Sequence, residues 1–289
     1  MSDGTPFISA HIPQVSASVD LSHSPLAPTE LNLLGYRLHP MTGAEVVVEI
    51  DLAVSQSRRL VMANLNLHGM ARMYDSPGMT RLLRQRDCLT MIDGMPVLGL
   101  ANLLSRAHLQ RDKRTTSLDF YDDLFALGVS KGWQFAYVGA TADVLTRGLD
   151  VLRDRFPDLK IAGRHGYFDF PSLAPDSLYQ ENIAWLRDLS PDVVIVGMGM
   201  PRQEEWIEQV QHLVDARVFL PTGAYLDYQV GIQRPAPRWL GRYGLEGVYR
   251  LFRSPYRLGY RYLVEPFVLG YRIISGKPLP TRQGSPDVN

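Results

Sequence analysis

Apolar residues in this chain come in short unbroken runs, and between the runs they return at three- and four-residue intervals. The runs are RLVMANLN (59–66), CLTMID (88–93), WQFAYVG (133–139), LKIAG (159–163), DVVIVG (192–197) and RVFLPTG (217–223). Their length and β-prone content predict strands. Because no polar residue alternates through them, both faces of each strand are expected to be covered. The stretches between predict helices. Thr42, with Glu45 three residues on, makes a capping box for a helix through about Ser55. Ser76-Pro77 opens another through about Arg86, with proline in the first helical position. Further helices are expected near 96–105, 141–156, 177–189 and 202–214. Strands alternating with helices predict an α/β fold, a Rossmann-like parallel sheet covered by helices on both faces. Such sheets bind ligands at the carboxyl ends of their strands.

Outside the alternation the pattern changes. Residues 1–30 are rich in Ser, Pro, His and Ala without periodicity and read as a flexible leader; 31–233 form the Rossmann-like core, 234–275 a helical appendage, and 276–289 a flexible tail. Charge sharpens the division. The whole chain balances 30 Lys and Arg against 30 Asp and Glu, yet from Arg234 onward there are ten basic and three acidic residues. Nine aromatics between Trp239 and Arg272 interleave there with Arg242, Arg250, Arg253, Arg257, Arg261 and Arg272. Ser254-Pro255 divides this run into two helices. Basic residues among aromatics suit anionic lipid headgroups or nucleic acid. A helical pair that packs its tyrosines on the core would show the same pattern. The membrane surface is the reading taken here, with no nucleic acid. Cys88 is the single cysteine, so no intrachain disulfide can form and a reducing cytosol is expected. With no basic residue before Arg37, the N-terminus does not read as a signal peptide. No stretch reaches the roughly 18 apolar residues of a spanning helix.

Four strand ends carry candidate chemistry: Asn64 and Asn66, Asp93-Gly94, Gly139, and Gly197 to Glu204. Each alone has a plain explanation as a turn former or a close backbone approach. Asp93 sits where a strand delivers a carboxylate to the sheet edge, facing the N-terminus of a helix opened by Pro96. It could cap that helix, or serve as a general base for a hydroxyl within hydrogen-bond reach. Gly139-Ala140-Thr141 opens a helix whose first N–H groups would suit a phosphate. The turn in VVIVGMGMPRQEEWI (193–207) is neither the dinucleotide glycine fingerprint nor a Walker loop. Its Gln203 and Glu204 suit the hydroxyls of a ribose or the edge of a base. No Cys/His cluster or Asp-x-Asp pair occurs, so neither a metal site nor a cofactor is expected. His165, in GRHGYFD, reads equally as structural or as a loop contact.

Several of these stretches together resemble one family, the WecG/TagA/CpsF glycosyltransferases. Its members add N-acetylmannosamine in wall teichoic acid synthesis and have relatives in enterobacterial common antigen and exopolysaccharide assembly. VVIVGMGMPRQEEWI resembles the family's Gly-x-Gly-x-Pro-Lys-Gln-Glu block, with Arg202 in the lysine position. MIDGMPV resembles its Asp-Gly block, LKIAGRHGYF its His-x-Gly-Tyr-Phe block, and the stretch from Thr222 to Arg257 its C-terminal block; the likeness runs from about Leu33 to Tyr262. The resemblance implies that Asp93 is the catalytic base and that Asn64, Asn66 and Arg114 line the acceptor pocket. Gly139, Gly199, Pro201, Arg202, Gln203, Glu204 and Gly223 would line the UDP-sugar pocket. Arg250, Arg253, Arg257 and Arg261 are the candidates for contact with a diphosphate or the membrane. Two departures point to altered donor or acceptor choice. RTTSLDF lacks the glycine of the family's Arg-x-x-Gly-Ser-Asp while keeping Asp119, and Gly247 replaces a tryptophan. The implied reaction moves a sugar from a UDP-sugar to a sugar on undecaprenyl diphosphate, with inversion and without an essential metal or cofactor. The implied place is cytoplasmic, peripheral on the inner face of the cytoplasmic membrane, with a homo-oligomer left open. A UDP-sugar epimerase, or a non-catalytic nucleotide-binding module that docks on membranes, shares the fold class and remains the alternative. Glucose, N-acetylmannosamine and a uronic acid all stay open as the donated sugar.

Overall fold

The computed structural model describes residues 29–171, 174, 177–233, 240, 246–253 and 255–280. Nearly all of the expected leader lies outside them. The side chains of Arg250, Arg253 and Arg257 also lie outside the described part. A short antiparallel hairpin comes first, β1 (Leu31–Leu33) and β2 (Tyr36–Leu38). Six strands then build one sheet: β3 (Leu60–Leu65), β4 (Cys88–Ile92), β5 (Gln134–Gly139), β6 (Lys160–Arg164), β7 (Val193–Gly197) and β8 (Val218–Pro221). Their order is β4-β3-β8-β7-β5-β6 and every pairing is parallel. The carboxyl ends of all six therefore fall on one edge, which collects the residues singled out above.

The unbroken apolar runs are explained by a core on each face. Val61, Ala63 and Leu65 of β3 turn to one layer, while Leu60 and Met62 turn to the other. In β7, Val194 and Val196 divide from Val193 and Ile195 in the same way. Expected helices appear as α1 (Gly43–Ser55), with the Thr42–Glu45 capping box formed, α3 (Pro77–Leu83), α4 (Met95–Ser105), α6 (Ala142–Arg155), α7 (Leu178–Leu189) and α8 (Arg202–Val210). Three helices were not anticipated: α2 (Leu67–Met73), α5 (Ser117–Lys131) and α9 (Tyr225–Gln229). The 15-residue α5 is opened by a capping box in which Thr116 N donates to Asp119 Oδ2 at 2.8 Å. Asp119 is thus a helix-start residue as well as a remnant of the family block.

The appendage continues as α10 (Glu246–Arg253), α11 (Pro255–Gly259), a π-helical turn (Tyr260–Val264) and α12 (Glu265–Ile274). The division predicted at Ser254-Pro255 falls on Ser254, which lies outside the described residues. Leu269 is buried in the main core, and so is Leu279, which lies inside the stretch expected to be a flexible tail. Described residues 276–280 are held at that point by apolar burial; 281–289 lie outside the described residues. No helix among the described residues is long and apolar enough to cross a membrane.

Where the sheet edge closes, two glycines meet. Gly139 pairs with Gly197 in the ladder, and a Cβ on Gly139 would land on the Gly197 backbone. Gly166 approaches from the next loop, where an added Cβ would meet Gly139 Cα at 2.8 Å. Close packing of backbone on backbone leaves no flexible side chain to move aside. Gly139→Ala is therefore expected to cost about 1–3 kcal/mol or more in urea unfolding. Gly270→Ala, in α12 with nothing within 4 Å of the added carbon, should be neutral or mildly stabilising. Equal effects at both positions would contradict the packing argument.

Candidate active site

Asp93 follows β4 directly, and its backbone N–H continues the ladder by donating to Leu65 O at 3.0 Å. Gly94, with φ +96, is the N-cap of α4 and provides no side-chain cap bond. Asp93 is therefore not the helix cap that the sequence left open. Its Oδ2 accepts instead from Asn66 Nδ2 at 2.9 Å. Asn66 is at the same time the N-cap of α2, its Oδ1 accepting from Gly69 N at 3.0 Å. Because one end of the amide is fixed by the cap, the other must present N–H groups to the carboxylate.

This pair opens into a cleft of about 360 Å³ between core and appendage. Core residues Asn66, Leu67, His68, Asp93, Gly94, Met95 and Pro96 form one wall; Gly247, Leu251, Arg261, Tyr262, Leu263 and Pro266 form the other. Few polar groups in an otherwise apolar cleft are the usual makeup of a ligand site. Gly247 lies against Tyr262, whose ring carbon would stand 3.0 Å from an added Cβ. Tyr262 thus occupies space beside the position where the family has a tryptophan. Asn64 does not line this cleft. Its Nδ2 donates to Pro221 O at 3.3 Å, tying the end of β3 to the end of β8, and its buried Oδ1 has no partner. Arg114 is brought alongside: its segment bridges to Ile92, immediately before Asp93, and its Nη2 stands 3.8 Å from Asp119 Oδ2.

The second cluster lies along the same edge, at the ends of β7 and β8. Gly199 (φ +79) and Gly223 (φ +64) adopt backbone conformations that favour glycine. Gln203 Oε1 accepts from both, at 3.1 Å from Gly199 N and 2.9 Å from Gly223 N, and its Nε2 donates to Glu204 Oε1 at 2.8 Å. Direct ligand contact was expected of Gln203 and Glu204. Both are buried, because α8 turns positions 203, 204, 207 and 210 inward with Trp206. Helical periodicity, hidden by the charged composition, puts them beneath the turn. Arg202 reaches the other way. Its guanidinium donates to the Phe168 and Gly166 carbonyls and lies 4.6 Å from the Phe170 ring centre. It clamps the 166–170 loop to the turn that Pro201 opens. His165 Nδ1 accepts from Tyr167 N at 3.3 Å, a contact within that loop. Among the described residues, no group of three or more His, Cys, Asp or Glu is arranged to hold a metal ion.

A model of the glycosyl transferase WecG/TagA/CpsF family matches residues 31–283. The chain belongs to that family. It is 28% identical over 166 residues to N-acetylglucosaminyldiphosphoundecaprenol N-acetyl-beta-D-mannosaminyltransferase of Bacillus subtilis (strain 168), covering 57% of this chain and 60% of that protein. A protein of the same name from Staphylococcus aureus (strain MW2) is 25% identical over 146 residues, covering 50% of this chain and 55% of the relative. The chain thus spans less than two thirds of the length of these relatives.

Sequence reasoning missed His68 and Glu265. His68 Nδ1 lies 2.6 Å from Glu265 Oε2, and Arg72 Nη2 donates to Glu265 Oε1 at 3.0 Å. Arg272 adds a two-pronged contact to Asp75 at 3.1 and 2.9 Å. These pairs dock α12 onto α2. The only sequence signal was a histidine two residues after Asn66.

Burial pushes the Glu204 carboxyl up from 4.5 to about 7, against a smaller opposing effect of the Gln203 hydrogen bond. The folded protein then holds a proton that the unfolded chain releases. This contribution to stability is complete below pH 4.5 and is lost as pH rises through about 7. The separation corresponds to roughly 3 kcal/mol. Glu204→Gln should remove that part of the pH dependence, read as the change in denaturation free energy between pH 5 and pH 8. An unaltered slope would mean that Glu204 is ionised throughout.

Proposed function

We propose that the chain is an inverting glycosyltransferase that moves a sugar from a UDP-sugar to a polyprenyl-diphosphate-linked sugar in cell-surface polysaccharide synthesis. The observation that carries this reading is the Asp93 carboxylate, held by Asn66 at the mouth of a cleft whose other wall is the apolar, arginine-bearing appendage. Family membership and the printed names of the relatives support it. In the proposed step, the acceptor hydroxyl gives its proton to Asp93 as its oxygen bonds to the anomeric carbon. The bond from that carbon to the UDP oxygen breaks on the opposite face, and UDP leaves with the electron pair. One displacement inverts the anomeric centre. The donor would lie along the β5, β7 and β8 ends, over Gly139, Gly199, Pro201 and Gly223. There Gln203 acts by holding the Gly199 and Gly223 turns together, and Arg202 by holding the loop beside them. Arg114 and Arg261 flank the reacting end. Charge on the departing diphosphate would be met by arginines and backbone N–H groups, without an essential metal.

The acceptor's lipid places the reaction at a membrane, and the appendage suits that surface. Tyr256, Tyr260, Leu263, Phe267, Tyr271 and Ile274 recur at three- and four-residue intervals and are exposed, Phe267 by 78% and Ile274 by 87%. An apolar stripe of this kind, in a region of strong positive charge, favours peripheral binding to an anionic leaflet. The cytoplasmic face is proposed because nucleotide sugars are cytoplasmic donors.

Asp93→Asn is expected to keep the fold and to lower turnover by about 10²–10⁴ in transfer from a UDP-sugar to a short-chain lipid-diphosphate sugar. Near-normal turnover would remove Asp93 from the mechanism. Isomerised UDP-sugar without acceptor would identify an epimerase, and binding without turnover a docking module. Activity should survive a chelator; a strict need for magnesium or manganese would overturn the metal-free step.

Serine at Tyr260, Phe267, Tyr271 and Ile274 together should abolish flotation with anionic liposomes while transfer to a water-soluble acceptor persists. Binding by the unaltered protein should weaken with salt. Undiminished flotation of the variant would put the membrane contact elsewhere.

A further inference from the structure

His68 stands on the first turn of α2 and lines the cleft beside Asn66 and Asp93. Its Nδ1 meets Oε2 of Glu265, a residue 197 positions away and only 3% exposed. The second oxygen of Glu265 is taken by Arg72. A buried carboxylate bonded on both oxygens is a fixed acceptor, so the nitrogen facing it must be the donor. That assigns the proton of the neutral ring to Nδ1 and leaves Nε2 with a bare lone pair. Three charged groups act on the imidazole, Glu265 from α12, Arg72 from α2 and Arg261 from the π-helical turn, and Asp93 lines the same wall of the cleft. Burial first, then Arg261 and Arg72, hold the imidazole below its ordinary pKa, with Glu265 opposing in part. The neutral ring is thereby favoured.

A sugar entering this cleft presents hydroxyls, and each must find an acceptor or lose a hydrogen bond to water. Asp93 provides one acceptor. Resting on the glycosyl-transfer reading, we propose that His68 provides a second: its Nε2 accepts a hydrogen bond from a hydroxyl of the acceptor sugar, with Glu265 as its positioning residue. The appendage then contributes to recognition as well as to the cleft wall. When α12 docks, it delivers the carboxylate that sets the histidine's tautomer. An undocked appendage would leave the ring free to turn its N–H toward the sugar.

Two substitutions separate recognition from simple helix docking. In His68→Asn, the amide nitrogen falls near the Nδ1 position, so the contact with Glu265 can persist while the Nε2 acceptor is gone. In His68→Gln, the longer side chain reaches toward the Nε2 position and carries a carbonyl there. Steady-state transfer should show acceptor KM raised roughly tenfold in His68→Asn, about the worth of one pocket hydrogen bond. The UDP-sugar KM should stay unmoved, and His68→Gln should recover part of the loss. In the unaltered protein, acceptor KM should climb as pH falls and Nε2 takes a proton, and this limb should vanish in His68→Gln. An unchanged acceptor KM in His68→Asn, or donor and acceptor KM rising together, would overturn the proposal. So would a variant altered only in melting temperature. If the unaltered protein transfers no sugar, the functional reading itself fails. Calorimetric binding of the short-chain lipid-diphosphate sugar then tests His68 separately, and equal affinity in the unaltered protein and His68→Asn would overturn its role.

Discussion

The side-chain amide of Asn66 has a single orientation open to it. Its oxygen accepts from Gly69 N in the first turn of α2, and its nitrogen therefore faces Asp93. A helix cap is worth about 1 kcal/mol to folding. Here it also decides what the neighbouring carboxylate meets. Because β3 and β4 are parallel neighbours, residues one step beyond each strand end fall side by side, and the pairing needs no long side chain to span a gap. The same cap sets the direction of α2, and α2 is the surface on which the appendage docks.

That docking is electrostatic at its ends and apolar at its centre. Glu265 meets His68 and Arg72 at one end of α12, Arg272 meets Asp75 at the other, and Leu269 is buried between them. Surface ion pairs contribute little, but Glu265 is enclosed, so an unpaired carboxylate there would carry a large desolvation cost. The pairs thus select one seating of the helix over others. With α12 in that seating, its apolar stripe faces away from the core, and the π-helical turn sets Arg261 in the cleft wall. A cleft open toward an exposed apolar surface suits a ligand that is polar at one end and lipid at the other.

Across the sheet edge, the second cluster works through backbone. Gly139, Gly166 and Gly197 allow main chains to approach where any side chain would collide. Gln203 then binds the turns at Gly199 and Gly223 to each other from below. The surface left above them is backbone and proline, with the polar side chains serving as its foundation. Such a surface can approach a flat or charged ligand group closely and is rigid because its support is buried.

Local pattern was sufficient for the parallel sheet, the covered faces and the Thr42 capping box. Each depends on residues within a few positions of one another, which one strand or one turn expresses directly. The parallel edge also put Asn66 and Asp93 at strand ends on one side of the sheet, and the pairing of β3 with β4 made them neighbours. Three things depended on the tertiary structure. Gln203 and Glu204 look like surface polar residues until the rotation of α8 about its axis is known, and that rotation follows from packing Trp206 and Ile207 into the core. The 15-residue α5 has inward positions Phe120, Tyr121, Leu124, Phe125 and Gly128, but its aromatic content and its overlap with a family block obscured the period. His68 and Glu265 are separated by 197 positions, and no local signal links a histidine to a carboxylate at that distance. Their meeting is fixed by where the appendage returns to the core, a contact decided by burial of Leu269 and by charge pairing along two whole helices.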